Sequence, residues 1–235
     1  MNSSASEFRG HTPVAAQSAD VRAAFITRTY MHLFGAILGF AAIEMYLFST
    51  GMAYSIAETF LSTSWLLVLG GFILVSWLAT RVAMNSVSTL AQYGALAGFV
   101  VAEALIFVPL LVMAELKSGG GVIKSAAMVT LTGFTGLTAL VFYTKKDFSF
   151  LGSLLGWGGI VAMVLIGASL LFGFNLGTFF SVAMIALAGG AILYDTSNIL
   201  HHYPEDRHVG AALQLFASVA MLFWYVLRLF MGGDD

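Results

Sequence analysis

Seven apolar runs, each long enough to cross a bilayer as a helix, succeed one another with only short polar breaks, and no soluble fold accommodates that pattern. They lie at roughly 29–49, 64–80, 87–114, 122–143, 148–172, 176–200 and 209–231. At 1.5 Å of rise per residue, each covers a hydrocarbon core of about 30 Å. A barrel would instead need strands of about 10 residues that alternate polar with apolar side chains. With 59% hydrophobic and 9% charged residues, most of the chain belongs in lipid. The expected fold is an all-α integral membrane protein of seven transmembrane helices.

The first residues differ in character, being rich in Ser, Ala and Gln. They predict a flexible cytoplasmic tail over 1–26 and a single membrane domain over 27–235. The small residues around Val14-Ala15-Ala16 lack a preceding apolar core, so no signal cleavage is expected there. Basic residues set the orientation. Arg9, Arg22 and Arg28 precede the first run, Arg81 follows the second, Lys145 and Lys146 lie between the fourth and fifth, and Arg207 lies between the sixth and seventh. In a seven-helix topology these share one side, with Lys117, Lys124 and Arg228 on the other. The excess predicts a cytoplasmic N-terminus and an external C-terminus. Gly35 and Gly39, Gly94 and Gly98, and Gly152 and Gly156 have the spacing that lets membrane helices approach closely.

Asp195 stands inside the sixth run, about five residues or roughly 8 Å from its end. A carboxylate within a span costs a few kcal/mol, so such residues usually face a bundle interior or a water path. Ser218 in the seventh run falls in the same broad layer, and Arg81 reaches it from the end of the second by leaning inward. Arg81 serves equally well as a topological anchor at the lipid headgroups. Glu103, roughly 24 Å into the third run, hence in the outer half, and followed by Pro109, is a candidate for a cation path, either binding a cation or carrying a proton. Glu44 reaches similar depth, either on such a path or as an interfacial carboxylate.

Other chemistries find no support. There is no cysteine, hence no disulfide or thiolate site. The histidines show no metal-binding spacing, and His201 and His202 are adjacent, so they point to different faces. The last run has no lysine for a retinal linkage, no Gly-x-Ser-Gly nucleophile occurs, and Tyr194-Asp195 lacks a partner Gly-x-Gly-Asp within a span. No catalytic residues, metal site or cofactor are expected, and the protein reads as a non-enzyme. A net charge of -2 without basic blocks gives no nucleic-acid footprint.

Four motifs occur in order. They are Glu103-x-Leu105 through Pro109, Lys145-Lys146-Asp147-Phe148-Ser149-Phe150-Leu151, Ile192-Leu193-Tyr194-Asp195-Thr196, and Leu213-x-Leu215-Phe216 through Leu227-Arg228-Leu229-Phe230. The chain thereby resembles the Bax inhibitor-1 family (transmembrane Bax inhibitor motif proteins), and within it the bacterial YccA-like branch. That resemblance implies six helices around a central seventh, a place in the bacterial inner membrane, and a pH-sensitive calcium leak, so calcium ions or protons are the partners expected. It further implies a gate of two aspartates, in the sixth and seventh helices, latched by an arginine of the second. Asp195 matches the first aspartate, and Ser218 stands where the second would be. Arg81 lies near the latch position, where Ala79 and Thr80 also align. The same branch implies a second reading, a non-conducting protein that modulates the membrane-anchored FtsH protease.

Overall fold

The computed structural model describes residues 12–118 and 120–232. They form eight α-helices and one 3-10 turn, Val14–Ala16, with no strand among the described residues. The helices are α1 (Ala19–Ser49), α2 (Met52–Ser62), α3 (Trp65–Asn85), α4 (Thr89–Ser118), α5 (Gly121–Thr144), α6 (Leu151–Phe172), α7 (Gly177–His201) and α8 (His208–Met231). All but α2 are long and apolar enough to span a membrane, and the protein is a multi-pass membrane protein.

Two spans are enclosed by protein. In the most apolar stretch of α8, 72% of residues are buried, and in that of α4 67%, against 22% or less elsewhere. α8 is the central helix and packs on α1, α3, α4, α5 and α7. α6 stands outermost, carried mainly by α7 with a brief touch on α3. Aromatic side chains register the centre: Phe107 of α4 stacks on Phe223 of α8 at 5.5 Å between centroids and meets Phe40 of α1 at 5.1 Å. One layer away, Phe99 meets Phe216 at 6.0 Å. Each such pair adds about 1 kcal/mol to the burial of its rings.

The expectation of a flexible tail over 1–26 fails for the part that is described. Residues 1–11 lie outside the described residues. Beyond them, Pro13 bridges to Pro204, the Val14 N–H donates to the Tyr203 carbonyl at 2.8 Å, and Val14 is fully buried. α1 then starts at Ala19, with the Ser18 hydroxyl oxygen accepting from the Val21 N–H and Asp20 in the first turn. The capping signal is local and polar, so a hydropathy window set to find spans places the helix start about ten residues late.

α2 has no counterpart among the sequence expectations. Gly51 takes a φ of +77°, which turns the chain back after α1, and Ala53 and Ala57 then bury against Leu47, Val108 and Val112. Two alanines one turn apart hold a short helix without any run of span length.

The paired glycines do not act as a set. A Cβ added at Gly35, Gly94, Gly98 or Gly156 would meet nothing within 4 Å, and at Gly39 only Val100 at 3.6 Å. Of the six, Gly152 alone is needed for close approach, since its Cβ would fall 2.9 Å from the Tyr194 ring. The tightest helix contact uses an unpaired glycine, Gly210 of α8, whose Cβ would lie 3.0 Å from the Ala83 carbonyl oxygen and 2.5 Å from Met84 Sδ.

One end of the bundle carries residues 12–18 and the loops at 86–88, 145–150 and 202–207, and is called here the basic end. Arg207 Nη1 donates to the Ser86 carbonyl at 2.6 Å, and Gln92 Nε2 donates to the same oxygen at 2.9 Å. These bonds fix the loop entering α8 to the loop entering α4, so both central helices start from one anchored point.

Candidate functional site

Asp195 lies six residues before the end of α7 and Ser218 ten residues into α8. Depths of about 9 Å and 15 Å from the basic end, along helices that pack side by side, bring the two together. The Ser218 hydroxyl donates to Asp195 Oδ2 at 2.5 Å, and each residue is only 7% exposed. Both line a cleft of about 370 Å³ between α6, α7 and α8, together with Tyr194, Gln214, Gly152 and Met221. Gln214 precedes Ser218 by four residues, so the amide and the hydroxyl lie on one face of α8. On the other flank of α7, the hydroxyls of Tyr30, Thr138 and Thr196 are buried and face one another.

Arg81 does not join this site. It is exposed, its guanidinium lies 5.1 Å from the Trp77 ring centre, and no ion pair links it to Asp195. α3 runs on to Asn85, and its inward stripe is Ala79 and Ala83, both buried. Two residues from Ala79, Arg81 is turned roughly 200° around the helix and faces outward.

Glu103 and Glu44 form a second region. Glu103 is 6% exposed and Glu44 7%. Phe99 opposite Phe216 and Phe107 opposite Phe223 set the α4–α8 register, which places Glu103 opposite Val219 and Ala220. Ala220 shares the stripe of Phe216 and Phe223, whereas Ser218 is turned roughly half a circle away. Glu103 and Asp195 therefore sit at similar depth on opposite sides of α8, and the outer layer expected for Glu103 is instead the middle of the bundle. Glu44 follows Phe40 by one turn, on the far side of the Phe40–Phe107–Phe223 layer. Both of its carboxyl oxygens are buried without a protein hydrogen-bond partner.

At the basic end the sequence understates Asp147. Its Oδ1 accepts from the Ser149 N–H at 2.8 Å and from the Ser197 hydroxyl at 3.3 Å, and Oδ2 pairs with His202 Nε2 at 2.9 Å. Ser197 Oγ in turn accepts from the Phe148 N–H at 2.8 Å, pinning this loop to the end of α7. The Ser149 N–H is the largest of the influences that hold the Asp147 carboxyl down at about 2. His32 stacks on Tyr93 at 5.3 Å and lies 5.1 Å from His208. Among the described residues no three or more metal-capable side chains converge.

Residues 22–235 match the family model described as "Inhibitor of apoptosis-promoting Bax1". The chain belongs to the Bax inhibitor-1 family. An uncharacterized protein of Campylobacter jejuni is 32% identical over 216 residues, 87% of each chain. Bax inhibitor 1 of Schizosaccharomyces pombe is 28% identical over 242 residues, 97% of this chain and 84% of that one. An uncharacterized protein of Pseudomonas aeruginosa is 37% identical over 123 residues, a match spanning 51% of this chain and 55% of its own length.

Within this Bax inhibitor-1 bundle, the residues that sequence reasoning overlooked were marked by isolation. Gln214 is the one side-chain amide of α8, a turn before Ser218. Ser197 lies two residues after Asp195 but serves the loop instead.

Proposed function

We propose that this protein is a pH-sensitive leak for cations, calcium ions or protons, in the bacterial inner membrane, gated by protonation of Asp195. The observation that carries this reading is the buried Ser218–Asp195 hydrogen bond beside an open cleft. It ties the central helix to α7 through a group that can change charge. A hydrogen bond to an ionised acceptor is about twice as strong as a neutral one, so protonating Asp195 weakens the α7–α8 tie by about 1 kcal/mol. That difference biases the bundle toward whichever arrangement lacks the bond.

This arrangement of the bundle has no arginine latch, since Arg81 faces outward, and in this reading Ser218 takes the latching role. With a serine in place of a second carboxylate, no like-charge repulsion couples two titrations, and the pH response follows one site. The cleft brings together oxygens of Asp195, Ser218, Gln214 and Tyr194, the ligand type that calcium takes, in sets of six to eight. Ion flux in proteoliposomes across cytoplasmic-side pH tests the reading, with Asp195→Asn as the decisive variant. Absence of any flux would favour the second reading, modulation of the FtsH protease.

A further inference from the structure

Glu103 and Glu44 are buried carboxyls that the Asp195 gate leaves unused. No ion pair or hydrogen bond reaches either from a described residue, and both Glu44 oxygens are fully enclosed. The charged and titratable groups of the surrounding helices are directed elsewhere. Tyr46, Glu58, Arg81 and Lys124 are exposed, Glu115 is half-buried toward the end of α4, and Arg228 lies in the last turn of α8. A carboxylate left charged and unpaired in such surroundings is very costly, so each group must carry a proton or hold a cation.

The surroundings decide between these. Calcium needs six to eight oxygen ligands. Glu103 lies one turn from Phe99 and Phe107 on α4 and level with Ala220 of α8, Glu44 lies one turn from Phe40 and Leu47 on α1, and among the described residues no three His, Cys, Asp or Glu side chains converge on either. A proton needs no further ligand. We infer that Glu103 and Glu44 are two stations of a proton path that runs from the middle of the bundle away from the basic end, separated by the Phe40–Phe107–Phe223 layer.

Phe40 and Phe107 are level with each other. Glu103 is one turn before that layer and Glu44 one turn after it, about 11 Å apart along the axis. Direct transfer requires approach to about 3 Å. The proton must therefore pass from the Glu103 carboxyl to water and from water to the Glu44 carboxylate, breaking and making only O–H bonds. The aromatic layer blocks that water, as hydrophobic constrictions do when they exclude it, and is the barrier of the path. This inference rests on the cation-leak reading and names the proton as the ion at these two residues.

Two measurements on the full chain in proteoliposomes test it. Dicyclohexylcarbodiimide, an apolar reagent that adds to protonated carboxyls, should modify Glu103 and Glu44, located by mass spectrometry, and excess calcium should give no protection. Proton flux should fall at least tenfold in Glu103→Gln and in Glu44→Gln and rise several-fold in Phe40→Ala. Calcium protection of either site, absence of labelling at both, or flux within twofold of wild type in the three variants would overturn the inference. Labelling reports what occupies the carboxyls whether or not ions cross, so its failure is separable from failure of the leak reading.

Discussion

Ser218 donates its hydroxyl hydrogen to Asp195 Oδ2 at 2.5 Å, and this bond joins the central helix α8 to α7, its most extensive packing partner. Removing the donor leaves a buried carboxylate without it. Ser218→Ala should therefore destabilise the folded bundle by about 1–3 kcal/mol, measured by thermal unfolding in detergent. A melting temperature unchanged from wild type would mean that the bond contributes nothing to the folded bundle.

Ser218→Asp should behave differently. It places a second carboxyl beside the first, so two coupled titrations replace one, and the added oxygens favour a divalent ion. Calcium binding should strengthen and the pH dependence of flux should steepen. A pH profile still fitted by a single site would show that residue 218 does not face Asp195.

The Asp147 clasp should contribute to acid stability. Its folded value of about 2 lies below the ordinary 3.8, so its contribution is complete above about pH 4 and is lost as pH falls toward 2. The carboxylate is nearly half exposed, which screens the effect. Asp147→Ala should lower stability near neutral pH and narrow its gap to wild type between pH 4 and 2. A gap that does not change with pH would remove the ionised carboxylate from the account.

Gly210→Ala should be among the most damaging single-methyl additions in the chain. Its Cβ would press on the Ala83 carbonyl and Met84 at the α3–α8 crossing, and overpacking of this kind costs about 1–3 kcal/mol. Gly35→Ala, with nothing within 4 Å, should leave thermal stability at or above wild type. Equal stability in the two variants would contradict the close crossing.

The seven spans were legible because a long apolar run in lipid has one backbone solution, a helix. The Asp195–Ser218 layer was legible because both residues can be counted from nearby span ends. What stayed hidden depends on rotation about helix axes and on packing across the bundle. Arg81 has the right depth but the wrong face, Glu103 comes to the middle only through the phenylalanine register, and Val14 is held by a carbonyl almost two hundred residues away. α2 rests on small residues and the Asp147 clasp on polar contacts to Ser197 and His202 across the bundle, both within segments that hydropathy treats as loops.

Flux against cytoplasmic-side pH, recorded for both calcium and protons in wild type and Asp195→Asn, tests the gate most directly. The account predicts that wild type shows a single-site pH response in at least one of the two ions and that Asp195→Asn flattens it. An Asp195→Asn profile superimposable on wild type, or no flux of either ion at any pH, would contradict it.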